Sequence, residues 1–188
     1  QIYGWLQSNC KPLSEWEDCP VEWPGQDDPE YLMNEWDSYK ESEGLIGFGD
    51  MIVRVIENGL VQVKEQGWAE GDMDVFNADE KLNEAREYLF RSPNAIRGRG
   101  SFIDTKILYV DEVQDLTPLQ WRWYLLQKLV CEKVYLGGDD DQSIYGWAGA
   151  DPEFMLGEEG DFEVLDRTYR VPEQVWEASN KVIQQVEN

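Results

Sequence analysis

Two stretches of this 188-residue chain carry residue types whose order could do chemistry. The first is VDEVQD, Val110 to Asp115, which follows the short apolar run Ile107-Leu108-Tyr109-Val110. A carboxylate at the end of a buried strand, followed at once by a second, suits nucleotide hydrolysis: Asp111 would hold Mg²⁺ and Glu112 would activate the attacking water. In a chain with 39 Asp and Glu, such a pair fits a solvated loop after a strand as well, so this stretch alone leaves both readings open. The second stretch is GGDDDQSIYGWAGAD, Gly137 to Asp151. It follows another apolar run and joins glycines, a carboxylate cluster, a Gln able to bond phosphate or water (Gln142), and two aromatics (Tyr145, Trp147).

Other chemistries are excluded by composition. The chain has no His, which removes every Ser/His/Asp and Cys/His triad, and its three Cys form no CxxC pair, which argues against structural zinc and a disulfide scaffold. Catalysis, if any, must rest on carboxylates, a bound metal ion, or both. With 41% hydrophobic residues and nine Trp the chain should fold around a core, and it has neither a long apolar span nor a signal-peptide pattern, so a cytoplasmic protein without a membrane role is expected. The net charge of −23 opposes any polyanion at ordinary salt. At molar salt the Debye length falls to ~3 Å, so a halophilic source reconciles this acidity with DNA contact; an acidic interaction module or nucleic-acid mimic is the other account.

The elements that position these stretches can be read in part. Residues 1–26, rich in Trp, Pro and acid, predict mostly irregular chain with one short helix. Asp28-Pro29 opens a helix in which Leu32, Trp36 and Tyr39 recur at helical spacing until Gly44. A second helix is expected at about Asp50–Asn58 with Gly59 as its stop, and another at Asp79–Arg91 before the turn from Ser92-Pro93 to Gly100. Further on, Ile107–Val110 and Lys133–Leu136 predict strands buried on both faces, with a third at Phe162–Leu165. Thr117-Pro118 caps a helix running to about Val130, and a last helix from Pro172 places Val175, Ser179, Val182, Ile183 and Val186 on one face. This rhythm is that of a parallel α/β sheet, whose sites form at the carboxyl ends of its strands.

The ordered set DEVQD, GDDDQSIYGWAGAD and LDRTYRVPEQV resembles motifs II, III and IV of UvrD/Rep-like superfamily 1 DNA helicases, most strongly over Leu108–Val182. More weakly, YKESEGLIGFGDMIVRVIENGL resembles the segment these helicases carry ahead of motif II. The resemblance implies the later part of a RecA-like P-loop NTPase motor lobe over 101–188, preceded by a mostly helical accessory segment over 1–100. It further implies Asp111 and Glu112 at the metal, Glu112 as general base, and Gln142 and Arg170 at the nucleotide, with Arg170 as an arginine finger. Gln114 and Asp115 would couple this site to neighbouring motifs, and Tyr145 and Trp147 would stack on single-stranded DNA. For Arg170 an ion pair with a nearby acid, and for the two aromatics burial under the nucleotide site, are the bland readings. ATP, Mg²⁺, single-stranded and duplex DNA, and the remaining helicase domains are the implied partners, with 3′→5′ movement.

The departures are specific. Ala148 stands where many family members carry Arg, and no GxxxxGK[ST] phosphate loop occurs; GRGSFIDTK, Gly98 to Lys106, lacks its ending. The chain therefore reads as half a nucleotide site from a longer helicase, inactive alone, with an acidic, non-catalytic interaction module derived from a helicase lobe as the alternative. Trp121 and Trp123 read as packing residues, and Trp5, Trp16 and Trp23 as the packing of an accessory subdomain. Arg91, Arg97 and Arg99 form a basic cluster, either a flexible loop or a phosphate contact.

Overall fold

The fold follows from a few local signals and a close contact between two helices. The computed structural model describes residues 2–184 apart from 24, 26, 73, 75, 83–84, 86–96 and 166. Arg91, Ser92-Pro93, Val186 and most of the second half of the helix expected over 79–91 lie outside the described residues; residues 78–82 are helical. The chain divides into a unit of residues 1–155 and a unit of residues 156–188.

In the first unit, α1 (Ile2–Ser8) buries Ile2 and Leu6. It ends with Cys10 in the left-handed region, where the Cys10 amide donates to Gln7 and the Lys11 amide to Leu6, the paired bonds of a Schellman stop. A 3₁₀ turn (Leu13–Asp18) follows, and Ile2, Leu6, Cys19 and Met33 form a small core under Tyr3, Trp5, Trp16 and Trp23. The Trp-rich opening thus packs a cluster of its own. α2 (Pro29–Glu43) starts at Asp28, whose side chain accepts from the Glu30 amide, and stops at Gly44 with φ of 66°. It turns Met33 and Lys40 inward and leaves Leu32, Trp36 and Tyr39 exposed.

α3 (Phe48–Glu65) runs straight through Gly59, which is not the stop that the sequence suggested. Gly59 is buried, and a Cβ there would meet Leu126 at 2.6 Å, so the glycine serves close approach of two helices. Replacing it by Ala would gain ~1 kcal/mol of helix propensity at an open site. Here the overlap reverses the sign, and Gly59→Ala is expected to destabilise by about 1–3 kcal/mol in urea unfolding. Ile56, Leu60 and Val63 of α3 join Ala78, Leu82, Phe102, Leu119, Leu126 and Val130 in the main core, which therefore draws on both sides of residue 100.

β1 (Ile107–Val110) and β2 (Lys133–Leu136) pair in parallel, Ile107 opposite Lys133 and Val110 opposite Leu136. They are connected by α4 (Pro118–Lys128), which opens with a capping box: the Thr117 amide donates to Gln120 Oε1 at 2.9 Å. Trp121 and Tyr124 of α4 cover Leu108, Val110, Val134 and Leu136, so Trp121 and Trp123 are packing residues. The strands are not buried on both faces. Among the described residues the sheet has two strands with α4 on one side, while Tyr109 (72% exposed) and Tyr135 stack on the other at 4.9 Å.

α5 (Glu153–Leu156) stacks Phe154 on Trp121 at 5.3 Å. In the second unit, α6 (Glu173–Ile183) begins after Pro172 as expected, with Val175, Val182 and Ile183 exposed. Residues 162–165 form no strand, and Phe162 and Leu165 are 84% and 86% exposed. An apolar run becomes a strand only where its backbone pairs with an edge, and residues 162–165 join no described strand.

Candidate functional site

The carboxyl ends of the two strands are stitched by backbone bonds: the Gly137 amide donates to Val110 at 2.8 Å and the Val113 amide to Gly137 at 3.1 Å. This brings VDEVQD and the loop after β2 side by side. Asp111 leaves β1 directly, and its Oδ1 accepts from the Glu112 amide at 3.0 Å. Glu112 itself has φ of 54° and ψ of 44°, a left-handed conformation that costs a non-glycine residue roughly 1–2 kcal/mol. Such strain concentrates at working positions.

Gln114 holds that conformation. It is fully buried, its Nε2 donates to Glu112 Oε2 at 2.9 Å, and its Oε1 accepts from the Asp139 amide at 3.1 Å. Ser143 Oγ donates to the Gln114 carbonyl at 3.3 Å, so one buried residue touches the strained carboxylate and two points of the loop. Beside it, Asp115 Oδ1 is buried with no hydrogen-bond partner among the described residues. Gln142 Nε2 donates to Asp139 Oδ2. Tyr145 and Trp147 sit on the outer turn of the loop, 6.3 Å apart and both exposed, Trp147 by 69%. The structure thus gathers Asp111, Glu112, Gln114, Asp115 and Gln142 with the two aromatics. Arg170 lies in the second unit, exposed, its amide donating to Thr168 Oγ1 at 3.3 Å.

Sequence reasoning singled out the carboxylate cluster after β2 without separating its members. Asp139, whose amide and carboxylate bind Gln114 and Gln142, and Ser143 are the working partners it missed. Nothing in the residue types distinguishes Asp139 from Asp140 and Asp141; only its place one residue after the strand-end glycines does.

Two other expectations change. Arg97 is neither a flexible loop residue nor a phosphate contact: its side chain is buried, Nε donates to the Val130 carbonyl at 2.8 Å and a terminal nitrogen lies 3.5 Å from Glu132. Residues 98–106 form a pinned turn. The Ile103 amide donates to Gln127 Oε1 at 3.0 Å and Gln127 Nε2 donates to the Ser101 carbonyl at 3.0 Å, so this stretch is not a free cradle for phosphate.

For Mg²⁺ the donor set is two hard carboxylates, Asp111 and Glu112, both solvent-facing at the strand end. Among the described residues no cluster of three His, Cys, Asp or Glu could cage a metal. That fits an ion that keeps several waters and arrives with its nucleotide, held by one or two carboxylates.

The UvrD/REP helicase N-terminal domain matches residues 2–163. The chain belongs to this family. DNA helicase II of Escherichia coli is 40% identical over 85 residues, covering 43% of this chain and 12% of the relative. ATP-dependent DNA helicase PcrA of Staphylococcus epidermidis is 39% identical over 84 residues, 40% of this chain and 11% of the relative, and DNA helicase II of Haemophilus influenzae is 35% identical over 80. The UvrD/REP chain thus matches about a tenth of the length of these curated relatives. Arg170 and α6 fall beyond the span matched to the family. No described helix is long and apolar enough to cross a membrane.

Proposed function

We propose that this UvrD/REP chain is the carboxylate half of an ATP-hydrolysing site in a longer cytoplasmic DNA helicase, one that moves 3′→5′ on single-stranded DNA and unwinds duplex. The observation that carries this reading is the strained Glu112, bonded through buried Gln114 to the loop that bears Gln142, Tyr145 and Trp147. Glu112 takes a proton from the attacking water, and the Gln114 amide keeps its carboxylate oriented while the other oxygen faces that water. Asp111 is the metal-side ligand, and Mg²⁺, when bound, supplies charge neutralisation on the phosphates. Gln142 orients water or the terminal phosphate, and Asp115 meets a group from a neighbouring motif. Arg170, from the second unit, is the arginine finger that stabilises transition-state charge with its planar fork. Tyr145 and Trp147 stack on bases, a contact worth ~1–3 kcal/mol per base. The acidity is a halophilic adaptation that lets these few contacts hold DNA at molar salt.

The pinned turn at 98–106 and the missing GxxxxGK[ST] favour a second reading, an acidic interaction module that has lost the phosphate grip. The test is Mg·ATP binding and turnover by the 188-residue chain and by the longer helicase, each with and without oligo(dT), at low and molar KCl. Turnover stimulated by DNA only in the longer protein is expected; turnover in neither supports the module, and robust turnover in the short chain overturns the half-site assignment. Circular dichroism in the same buffers should show helicity rising toward molar KCl. A chain fully folded at low salt that gains nothing from KCl removes the halophilic adaptation.

A further inference from the structure

The loop from Gly137 to Ala150 is held at two ends. Its start is bound by Gln114, through the Asp139 amide and Ser143 Oγ. Its end closes on itself, with the Ala148 and Ala150 amides donating to Tyr145 and the Gly149 amide to Gly146, and then rests on a residue from far away in the chain. A Cβ on Gly149 would fall 2.3 Å from Asn9 Oδ1 and 2.6 Å from Asn9 Cγ, so the Asn9 amide fills the space where that side chain would be. Gly149 has φ of 95°, a conformation that glycine accepts freely.

Asn9 is itself fixed. It is the residue that ends α1, and both its backbone amide and Nδ2 donate to the Trp5 carbonyl, at 3.0 and 2.9 Å. On another side of α1, Gln7 donates to Asp50 at the start of α3 and packs where a Cβ on Gly49 would lie. α1 is therefore a strut between the first turn of α3 and the end of the aromatic loop.

We infer that Asn9 is a positioning residue for the DNA-facing turn: its amide, seated under Gly149, sets where Tyr145 and Trp147 stand. The inference rests on the proposed DNA contact of these rings for its meaning, but its geometry can be tested without DNA. Asn9 lies outside all three motifs and acts through Gly149.

Hydrogen–deuterium exchange on the 188-residue chain decides it, comparing wild type, Asn9→Ala and Asn9→Asp, which keeps the shape of Asn but loses the Nδ2 donor to the Trp5 carbonyl. Exchange of the amides of 145–150 should rise about tenfold in Asn9→Ala, rise also in Asn9→Asp, and remain unchanged in β1, β2 and α4. Unchanged loop exchange in Asn9→Ala overturns the inference, and so does an equal rise in β1, β2 and α4, which would show Asn9 to be a general stability residue. In the longer helicase, Asn9→Ala should raise several-fold the oligo(dT) concentration needed for half-maximal stimulation, leaving DNA-free turnover unchanged. A loosened loop with normal oligo(dT) dependence overturns the positioning of the rings for DNA. Absence of any DNA stimulation in wild type would sink the helicase reading and leave the exchange result to judge the strut.

Discussion

Glu112→Gln in the longer helicase should bind Mg·ATP as wild type does and hydrolyse it about 10²–10⁴ times more slowly, the contribution typical of a positioned general base. The substitution is nearly isosteric, and the geometry shows why it should be clean. Gln114 Nε2 donates to Glu112 Oε2, and the side-chain oxygen of a Gln at 112 accepts the same bond. The left-handed backbone at 112 is no worse for Gln than for Glu, so neither the strand end nor the neighbouring loop has reason to move. What is lost is the oxygen that takes the proton. Equilibrium binding of a fluorescent ATP analogue and steady-state turnover, measured on the same preparation, separate the two effects. Near-normal turnover would remove Glu112 from the role of base, and lost binding would show that the carboxylate serves the nucleotide or its metal.

The parts of this site that were legible in the sequence are those fixed by neighbours in the chain. Thr117, Pro118 and Gln120 make a capping box within four residues, Asp28-Pro29 and Gly44 bracket α2, and the strands expected at Ile107–Val110 and Lys133–Leu136 formed at those bounds. Asp111 and Glu112 follow β1 directly, so locating the strand located the carboxylates. What failed depends on distant partners. Gly59 has the residue type of a helix stop, but its meaning comes from Leu126, 67 positions away, and residues 162–165 have the composition of a strand but pair with no described strand. The burial expected for both faces of the sheet failed for the same reason: composition marks a residue as able to be covered, and only the covering element makes it so. Asn9 and Ser143 carry no signal of their own, since a small polar residue near a turn is unremarkable until its partner is seen.

The largest effect on stability should come from Lys40→Met, which removes a cation from a nearly buried position between α1, α2 and α3. Lys40 Nζ lies 2.8 Å from Asp37 Oδ1 and 2.8 Å from Asp50 Oδ2, donates to Tyr3 Oη at 2.7 Å, and sits 4.5 Å from the centre of the Tyr3 ring. Tyr3 in turn donates to Asp37, and Asp50 accepts from the Gly47 amide at the start of α3. Removing the cation leaves two carboxylates facing each other across a half-buried phenol, and breaking such a pair costs about 3–5 kcal/mol. Asp37 remains partly exposed and can recover water, which places the expected loss near 3 kcal/mol in urea unfolding at pH 7.

The pH dependence separates this electrostatic loss from lost packing. Burial alone would raise the Asp50 carboxyl, but the bonds from Lys40, Gly47 and Gln7 outweigh it and hold the group below its ordinary value of 3.8. A carboxyl lowered in the folded state contributes stability that is present above 3.8 and lost as pH falls through its folded value. In Lys40→Met the strongest of those bonds is gone while the burial remains. Asp50 then no longer loses stability on protonation, and the gap between variant and wild type should narrow as pH falls from 7 to below 3.8. At the alkaline end, burial and the bond to Asp37 push the Tyr3 phenol up to about 12, so wild type loses stability as pH rises from 10 toward that value. A constant gap across the acid range would assign the loss to packing of the Lys40 stem. A narrowing gap identifies the cation as the tie that holds α1 against α3, and so as the base of the strut that ends at Asn9.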